Sequence, residues 1–210
     1  MGDNPAAIKV VLVDDEKLMR QGLAQLLSET TEVVAQANNG KEAVSVVLDS
    51  RPDVVLMDIR MPVMDGIAAT RMILSSLDVP IIMLTAFDTD EFIVTAIQAG
   101  AVGFLLKTTP KASLISAIQA AAVGQPILSP EVLKRLVAQH PIRRTNNRLS
   151  SLSTREMEIA ELVSKGLSNQ DISDELFISL TTVKSHVKSI LSKINGTNRV
   201  HIALAVFESN

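Results

Sequence analysis

The chain has 210 residues, 47% of them hydrophobic, and a formal net charge of −3. That length suits one or two domains with an ample core, and that apolar content excludes a disordered chain. The absence of cysteine excludes disulfides, thiolate metal sites and cysteine catalysis.

No basic-then-apolar leader opens the sequence, and no apolar run approaches ~18 residues, so a soluble, intracellular, cytoplasmic protein with no membrane segment is expected. The charge is unevenly spread. Residues 1–140 carry 11 Lys/Arg against 16 Asp/Glu, whereas residues 141–210 carry 9 against 7. From Leu176 to Phe207 there is no acid, while Lys184, Lys188, Lys193 and Arg199 fall there. This reads either as a polyanion footprint or as a solvated basic face.

After a frayed lead, Ile8–Val13 is apolar and β-branched and predicts a strand ending on Asp14-Asp15-Glu16. Leu18, Leu23, Leu26 and Leu27 predict a helix over Lys17–Ser28. Val33–Ala35 reads as a short strand and Gly40–Leu48 as a helix. Val54–Met57 is a third strand, halted at Asp58, with Pro62 and Gly66 beyond it. A helix follows over Ile67–Ser75, then a strand over Pro80–Leu84 ending at Thr85. Asp88–Glu91 resembles a capping box opening a helix that stops at Gly100. Val102–Leu106 is the fifth strand, ending at Lys107, and Lys111–Val123 the fifth helix.

Apolar strands alternating with helices predict an α/β fold: a doubly wound, five-stranded parallel sheet, flavodoxin-like, of order 2-1-3-4-5. Strands 1, 3, 4 and 5 are then neighbours, and their carboxyl ends bring Asp14, Asp15, Asp58, Thr85 and Lys107 around one hollow. Asp58 alone could be no more than a turn acid, but the set together points to a site. Clustered carboxylates need a cation, and oxygen ligands without His or Cys suit Mg²⁺. A carboxylate can also act as a nucleophile and become an aspartyl-phosphate, and Asp58 is the natural candidate. Mg²⁺, Lys107 and Thr85 would then meet the phosphoryl oxygens.

Residues 8–123 resemble the response-regulator receiver family. The motifs are Val13-Asp14-Asp15, Leu56-Met57-Asp58-Ile59-Arg60-Met61-Pro62-Val63-Met64-Asp65-Gly66, Leu84-Thr85-Ala86 and Gly103-Phe104-Leu105-Leu106-Lys107. The resemblance implies that Asp58 accepts phosphate from a sensor histidine kinase. It implies that Asp14, Asp15, Asp58 and the backbone carbonyl of Arg60 hold Mg²⁺, and that Thr85 and Lys107 contact the phosphoryl group. The family's switch aromatic is Phe104 here, so its coupling to Thr85 rests on packing alone. Phe87 reads as core or as a shield against attacking water.

The expected receiver spans 1–124, the linker 125–149 and a second domain 150–210. Ser129-Pro130 predicts a helix over Glu131–Gln139, and the stretch His140–Ser150 a flexible tether. Beyond it four helices are legible. Ser153–Glu156 and Ser168–Asp171 are capping-box signals, Ser179 caps a helix to Ile194, and Thr197–Phe207 forms the last. In the third, Val183, Val187, Ile190, Leu191 and Ile194 make one buried stripe, with Thr181, Thr182, Lys184, Ser185 and Lys188 on the other side. Two short helices with a tight turn, the second basic near its start, describe a helix-turn-helix in a small all-α domain.

Residues 152–207 resemble the LuxR-type DNA-binding domain through Leu152–Glu156, Gly166–Asn169, Ile178–Lys188 and Arg199. Together the two resemblances imply a NarL/FixJ-type response regulator that binds double-stranded DNA. Lys184, Ser185 and Lys188 are implied to reach base edges, and Thr181, Thr182, His186 and Arg199 to touch phosphate. Ser173 stands where relatives often carry Ala. Val200, Leu204 and Phe207 are expected either at a dimer face or in the internal core. A non-enzymatic transcription regulator, homodimeric when phosphorylated and able to meet RNA polymerase, is the expected function. The alternatives are a phosphoester hydrolase and a constitutive DNA-binding protein.

Overall fold

Each apolar run terminated by a polar residue becomes a strand of one sheet: β1 (Ile8–Val13), β2 (Thr31–Ala37), β3 (Val54–Asp58), β4 (Ile81–Thr85) and β5 (Gly103–Leu106). The computed structural model describes residues 7–86, 90–125, 127, 149–196 and 198–209, and only the backbone of 90–94, 207 and 208. The helix expected over 131–139 and Phe87 lie outside the described residues. The strands pair in the order β2-β1-β3-β4-β5, all parallel, as the alternating pattern predicts. Between them run α1 (Lys17–Leu27), α2 (Gly40–Ser50), α3 (Gly66–Leu74), α4 (Asp90–Ala99) and α5 (Lys111–Ala122). Val54–Met57 and Ile81–Met83 are fully buried. Both faces of β3 and β4 are therefore covered, which is why these runs are continuously apolar rather than alternating.

Register places the site. Val13 pairs with Met57, Asp58 with Leu84, and Thr85 with Leu106, so the polar residues that end these strands lie side by side. Caps then fix where the helices begin. Asn39 accepts from the Glu42 N–H to open α2, and Asp65 accepts from the Ala68 N–H to open α3. One helix departs from expectation: Leu18, assigned to the apolar face of α1, is 82% exposed. The buried positions are Leu23 and Leu27, and a residue five before Leu23 lies about 140° round the helix from it.

The chain divides into two compact units, Met1–Ala122 and Val123–Asn210. In the second, a 3₁₀ turn (Leu149–Ser151) precedes α6 (Thr154–Ser164), α7 (Asn169–Leu176), α8 (Leu180–Ile194) and α9 (Arg199–Ser209). Both capping boxes form, Ser153 with Glu156 and Ser168 with Asp171, and Ser179 caps α8 through the Thr182 N–H. The core gathers Ile159, Val163, Ile172, Val183, Ile190 and Ile202, with Val187 and Leu191 packed against it. The α8 stripe is thus the one its spacing predicts. Val200 and Leu204, expected at a dimer face or in the internal core, are both buried. They are 0% and 7% exposed in the single chain, because α9 buries Ile202, Ala203 and Val206 as well and is apolar on more than one side. The side chain of Phe207 lies outside the described residues. No helix among the described residues is long and apolar enough to cross a membrane.

Candidate functional site

At the carboxyl edge of the sheet, Asp14 is 1%, Asp58 5% and Thr85 6% exposed, while Asp15 faces solvent. Carboxylate oxygens of Asp14, Asp15 and Asp58 lie within 4.8 Å of one another. Lys107 comes from the end of β5, where its own N–H donates to the Thr85 carbonyl at 2.7 Å. Its ammonium sits 2.7 Å from Asp14 Oδ2 and 2.9 Å from Asp58 Oδ2. The other oxygen of Asp58 accepts from the Ile59 N–H at 2.7 Å, and Asp14 Oδ1 accepts from the Glu16 N–H at 2.9 Å. Arg20, on α1, donates to the carbonyls of Asp14 and Asp15 at 2.5 and 3.3 Å and so braces the loop that carries both acids.

Burial pushes the Asp58 carboxyl above its ordinary 3.8, although Lys107 pulls the other way. Burial likewise opposes the charge on Lys107, but its bonds to Asp14 and Asp58 outweigh that and carry the ammonium above 10.5. One ammonium against three carboxylates leaves negative charge uncompensated, which suits a hard divalent cation held by oxygen ligands.

The β3–α3 loop is held tightly behind Asp58. A Cβ on Gly66 would lie 1.9 Å from the Asp58 carbonyl oxygen, so only glycine lets the strand turn into α3 there. Met64 N–H donates to the Pro62 carbonyl at 2.7 Å, a γ-turn with Val63 at φ 69° and 81% exposed. Arg60 is exposed in the same loop. Phe104, on β5 opposite Met83, is 9% exposed and so packed inward.

In the second unit, Thr181, Lys184, Ser185 and Lys188 are exposed, and Thr182 and His186 half-buried, on the side of α8 away from its core stripe. Thr182 shares a hydroxyl contact with Ser179 at 2.8 Å, and Ser185 donates to the Thr181 carbonyl at 3.0 Å. Arg199 is not among them. It is 8% exposed and donates to Asn169 Oδ1 at 2.6 Å and to the Leu167 carbonyl. Its guanidinium is thus turned toward the start of α7 rather than lying on the exposed side of α8 with the other candidates.

Two polar residues escaped the sequence reading. Glu156, legible only as a cap, also accepts from Ser189 Oγ at 2.7 Å and Lys193 Nζ at 2.6 Å and so ties α6 to α8. Ser173 donates to the Ile178 carbonyl at 2.5 Å and closes the turn between α7 and α8. The departure from Ala at that position was its only signal.

Comparison with known proteins agrees with both halves. The family described as response regulator receiver domain matches residues 10–119, and that described as bacterial regulatory proteins, luxR family, matches residues 150–206. The transcriptional regulatory protein LiaR of Bacillus subtilis (strain 168) is 39% identical over 203 residues, covering 94% of this chain and 95% of LiaR. The nitrate/nitrite response regulator protein homolog of Haemophilus influenzae is 38% identical over 206 residues, covering 97% and 98%. Among solved structures, the response regulator ChrA of a heme-sensing two-component system is 37% identical, with a TM-score of 0.55, covering 97% of this chain and 98% of that one. A parallel sheet with an acidic carboxyl edge, followed by a helix-turn-helix bundle and matched along nearly the whole chain, places this protein in the family of two-component response regulators with a LuxR-type DNA-binding domain.

Proposed function

We propose that Asp58 is the phosphoacceptor and that its phosphorylation by a sensor histidine kinase controls binding of α8 to double-stranded DNA. The observation that carries this reading is the convergence of three carboxylates and Lys107 on one strand edge. A carboxylate oxygen of Asp58 attacks the phosphorus of a phosphohistidine. The P–N bond breaks, its electron pair stays on the imidazole nitrogen, and an acyl phosphate forms. Asp14, Asp15, Asp58 and the Arg60 backbone carbonyl would hold Mg²⁺, which when bound offsets charge on the phosphoryl oxygens. Lys107, already 2.9 Å from Asp58 Oδ2, moves with the new oxygens. Thr85 ends the neighbouring strand and donates its hydroxyl to them, and inward-packed Phe104 follows Thr85 by packing.

Phosphorylation shifts the receiver between two pre-existing states. The favoured state frees α8 for the major groove and allows a homodimer to occupy paired half-sites. Lys184, Ser185 and Lys188 reach base edges, and Thr181, Thr182 and His186 touch the backbone. A cytoplasmic regulator of this kind would act on transcription alongside RNA polymerase. Receiver and linker boundaries at residues 124 and 149 belong to the same reading.

Gel filtration and DNA binding, with and without an acyl-phosphate donor, test it. The treated protein is expected to dimerise and to bind DNA more tightly, and Asp58→Ala is expected to respond to neither. Identical behaviour of treated and untreated wild type sinks the switch.

A further inference from the structure

Arg20 lies inside α1, yet its side chain binds back across the loop that precedes the helix. Its Nη1 donates to the Asp14 carbonyl at 2.5 Å and to the Asp15 carbonyl at 3.3 Å. Its own backbone N–H donates to the Glu16 carbonyl at 3.2 Å. One residue therefore holds three consecutive carbonyls, beginning with those of the two acids. The helix start offers no substitute, because its N-cap, Glu16, makes no side-chain capping bond. Reaching back in this way sets the guanidinium near the positive end of the α1 dipole, the wrong end for a cation. Among the described residues it pairs with no carboxylate, so its bonds to the loop are what it gains there.

The site shows what this clamp opposes. Oxygens of Asp14, Asp15 and Asp58 lie within 4.8 Å of one another, and like charges so close repel. Asp14 is 1% exposed, its N–H donates to the Ala37 carbonyl at 3.1 Å, and its carboxylate meets the Glu16 N–H and Lys107. Asp58 ends a buried strand and is held by Lys107 and the Ile59 N–H. Asp15 is exposed, and among the described residues nothing holds its carboxylate. It is the acid that repulsion can drive into solvent, and the Arg20 bonds across its main chain resist that movement.

We propose that Arg20 is a positioning residue that gives the acidic site its preference for Mg²⁺ over larger divalent cations, by clamping the main chain of Asp14 and Asp15 against carboxylate repulsion. The inference rests on the Mg²⁺ reading above and deepens it. Mg²⁺ demands near-ideal octahedral geometry at about 2.0–2.1 Å, whereas Ca²⁺ accepts flexible arrangements at about 2.3–2.6 Å. A tightly held loop therefore favours the smaller ion. The guanidinium also acts as a nearby positive charge, and the two effects have opposite signs. If charge were all, removing Arg20 would tighten Mg²⁺ and Ca²⁺ alike. As a clamp, its removal weakens Mg²⁺ and spares Ca²⁺.

Calorimetric titration of the full, unphosphorylated chain with Mg²⁺ and, separately, with Ca²⁺ tests this. Arg20→Ala is expected to bind Mg²⁺ about tenfold more weakly, the low end for losing a residue that orients metal ligands. Its Ca²⁺ affinity should change by about twofold or less, since a looser loop suits that ion. Arg20→Gln, which keeps N–H donors without the charge, should fall between wild type and Arg20→Ala for Mg²⁺. Arg20→Ala should accept phosphate from an acyl-phosphate donor slowly at limiting Mg²⁺ and at the wild-type rate at saturating Mg²⁺, a rescue that a misfolded receiver does not show. Unchanged amide signals of Val13, Leu56 and Met83 without metal certify the fold of each variant.

Equal fold losses for Mg²⁺ and Ca²⁺ in Arg20→Ala overturn the proposal, as does Mg²⁺ binding that is unchanged or tighter. Should Arg20→Ala fail to fold, the ratio of Mg²⁺ to Ca²⁺ affinity in Arg20→Gln decides by the same outcomes. Failure of the wild type to bind Mg²⁺ overturns the metal reading and the proposal with it.

Discussion

Glu156 is where cap and core meet, and its replacement by glutamine has a calculable consequence. The carboxylate is 4% exposed and accepts from the Ser153 N–H at 2.7 Å, Ser189 Oγ at 2.7 Å and Lys193 Nζ at 2.6 Å. The Lys193 bond, with those from Ser153 and Ser189, holds the carboxyl at about 2, against an ordinary 4.5. At 1.36 kcal/mol per pH unit, that interval sets a ceiling of about 3 kcal/mol on what ionisation adds to folding. The Lys193 side chain is 38% exposed, so solvent screens part of this and about 2 kcal/mol is the better figure.

The folded value lies below the unfolded one. The stabilisation is therefore complete above about pH 4.5 and is lost as pH falls toward 2. In urea titrations of the full chain, followed by the amide signals of Val183, Ile190 and Ile194, Glu156→Gln should be less stable by about 2 kcal/mol at pH 7. The deficit should shrink by more than half by about pH 3. A deficit of equal size at both pH values, or none at pH 7, refutes the reasoning.

Asp58→Asn should end phosphorylation yet stabilise the receiver, because it removes a carboxylate that burial disfavours. The folded value of Asp58 is raised, so the gain should be present at pH 7 and vanish below about pH 4, as urea unfolding of the two proteins would reveal. Equal or lower stability of the variant at pH 7 contradicts this. Val63→Asn should add about 1 kcal/mol, because a β-branched residue at φ 69° is strained where Asn is tolerated. Val63 is 81% exposed and gives up little packing, so an unchanged urea midpoint for the sheet amides would show that no strain is stored there.

Elements whose information is local were legible before any fold was known. Strands β3 and β4 are continuously apolar because both faces are covered, and their polar terminators, Asp58 and Thr85, mark the site. The capping boxes at Ser153 and Ser168 and the α8 stripe follow from spacing within one helix, where side chain and partner are three or four residues apart. Parallel order then brought Asp14, Asp58 and Lys107 together, because strand sequence and crossover handedness leave few alternatives.

Contacts between elements were decided only by the tertiary structure. Leu18 and Leu23 look alike in a list of leucines, but α1 covers only one of them. Arg199 reads as a surface cation in a basic stretch, until α9 turns it toward Asn169, thirty residues earlier in the chain. Val200 and Leu204 could face a partner or the interior, and the folded chain buries them. Glu156 announces its cap three residues away and nothing of Ser189 and Lys193, which lie 33 and 37 residues on. Periodicity and capping specify which face an element turns inward and where it starts. What that face meets depends on the packing of segments distant in sequence, and in this protein that packing decides which of its charges face the solvent.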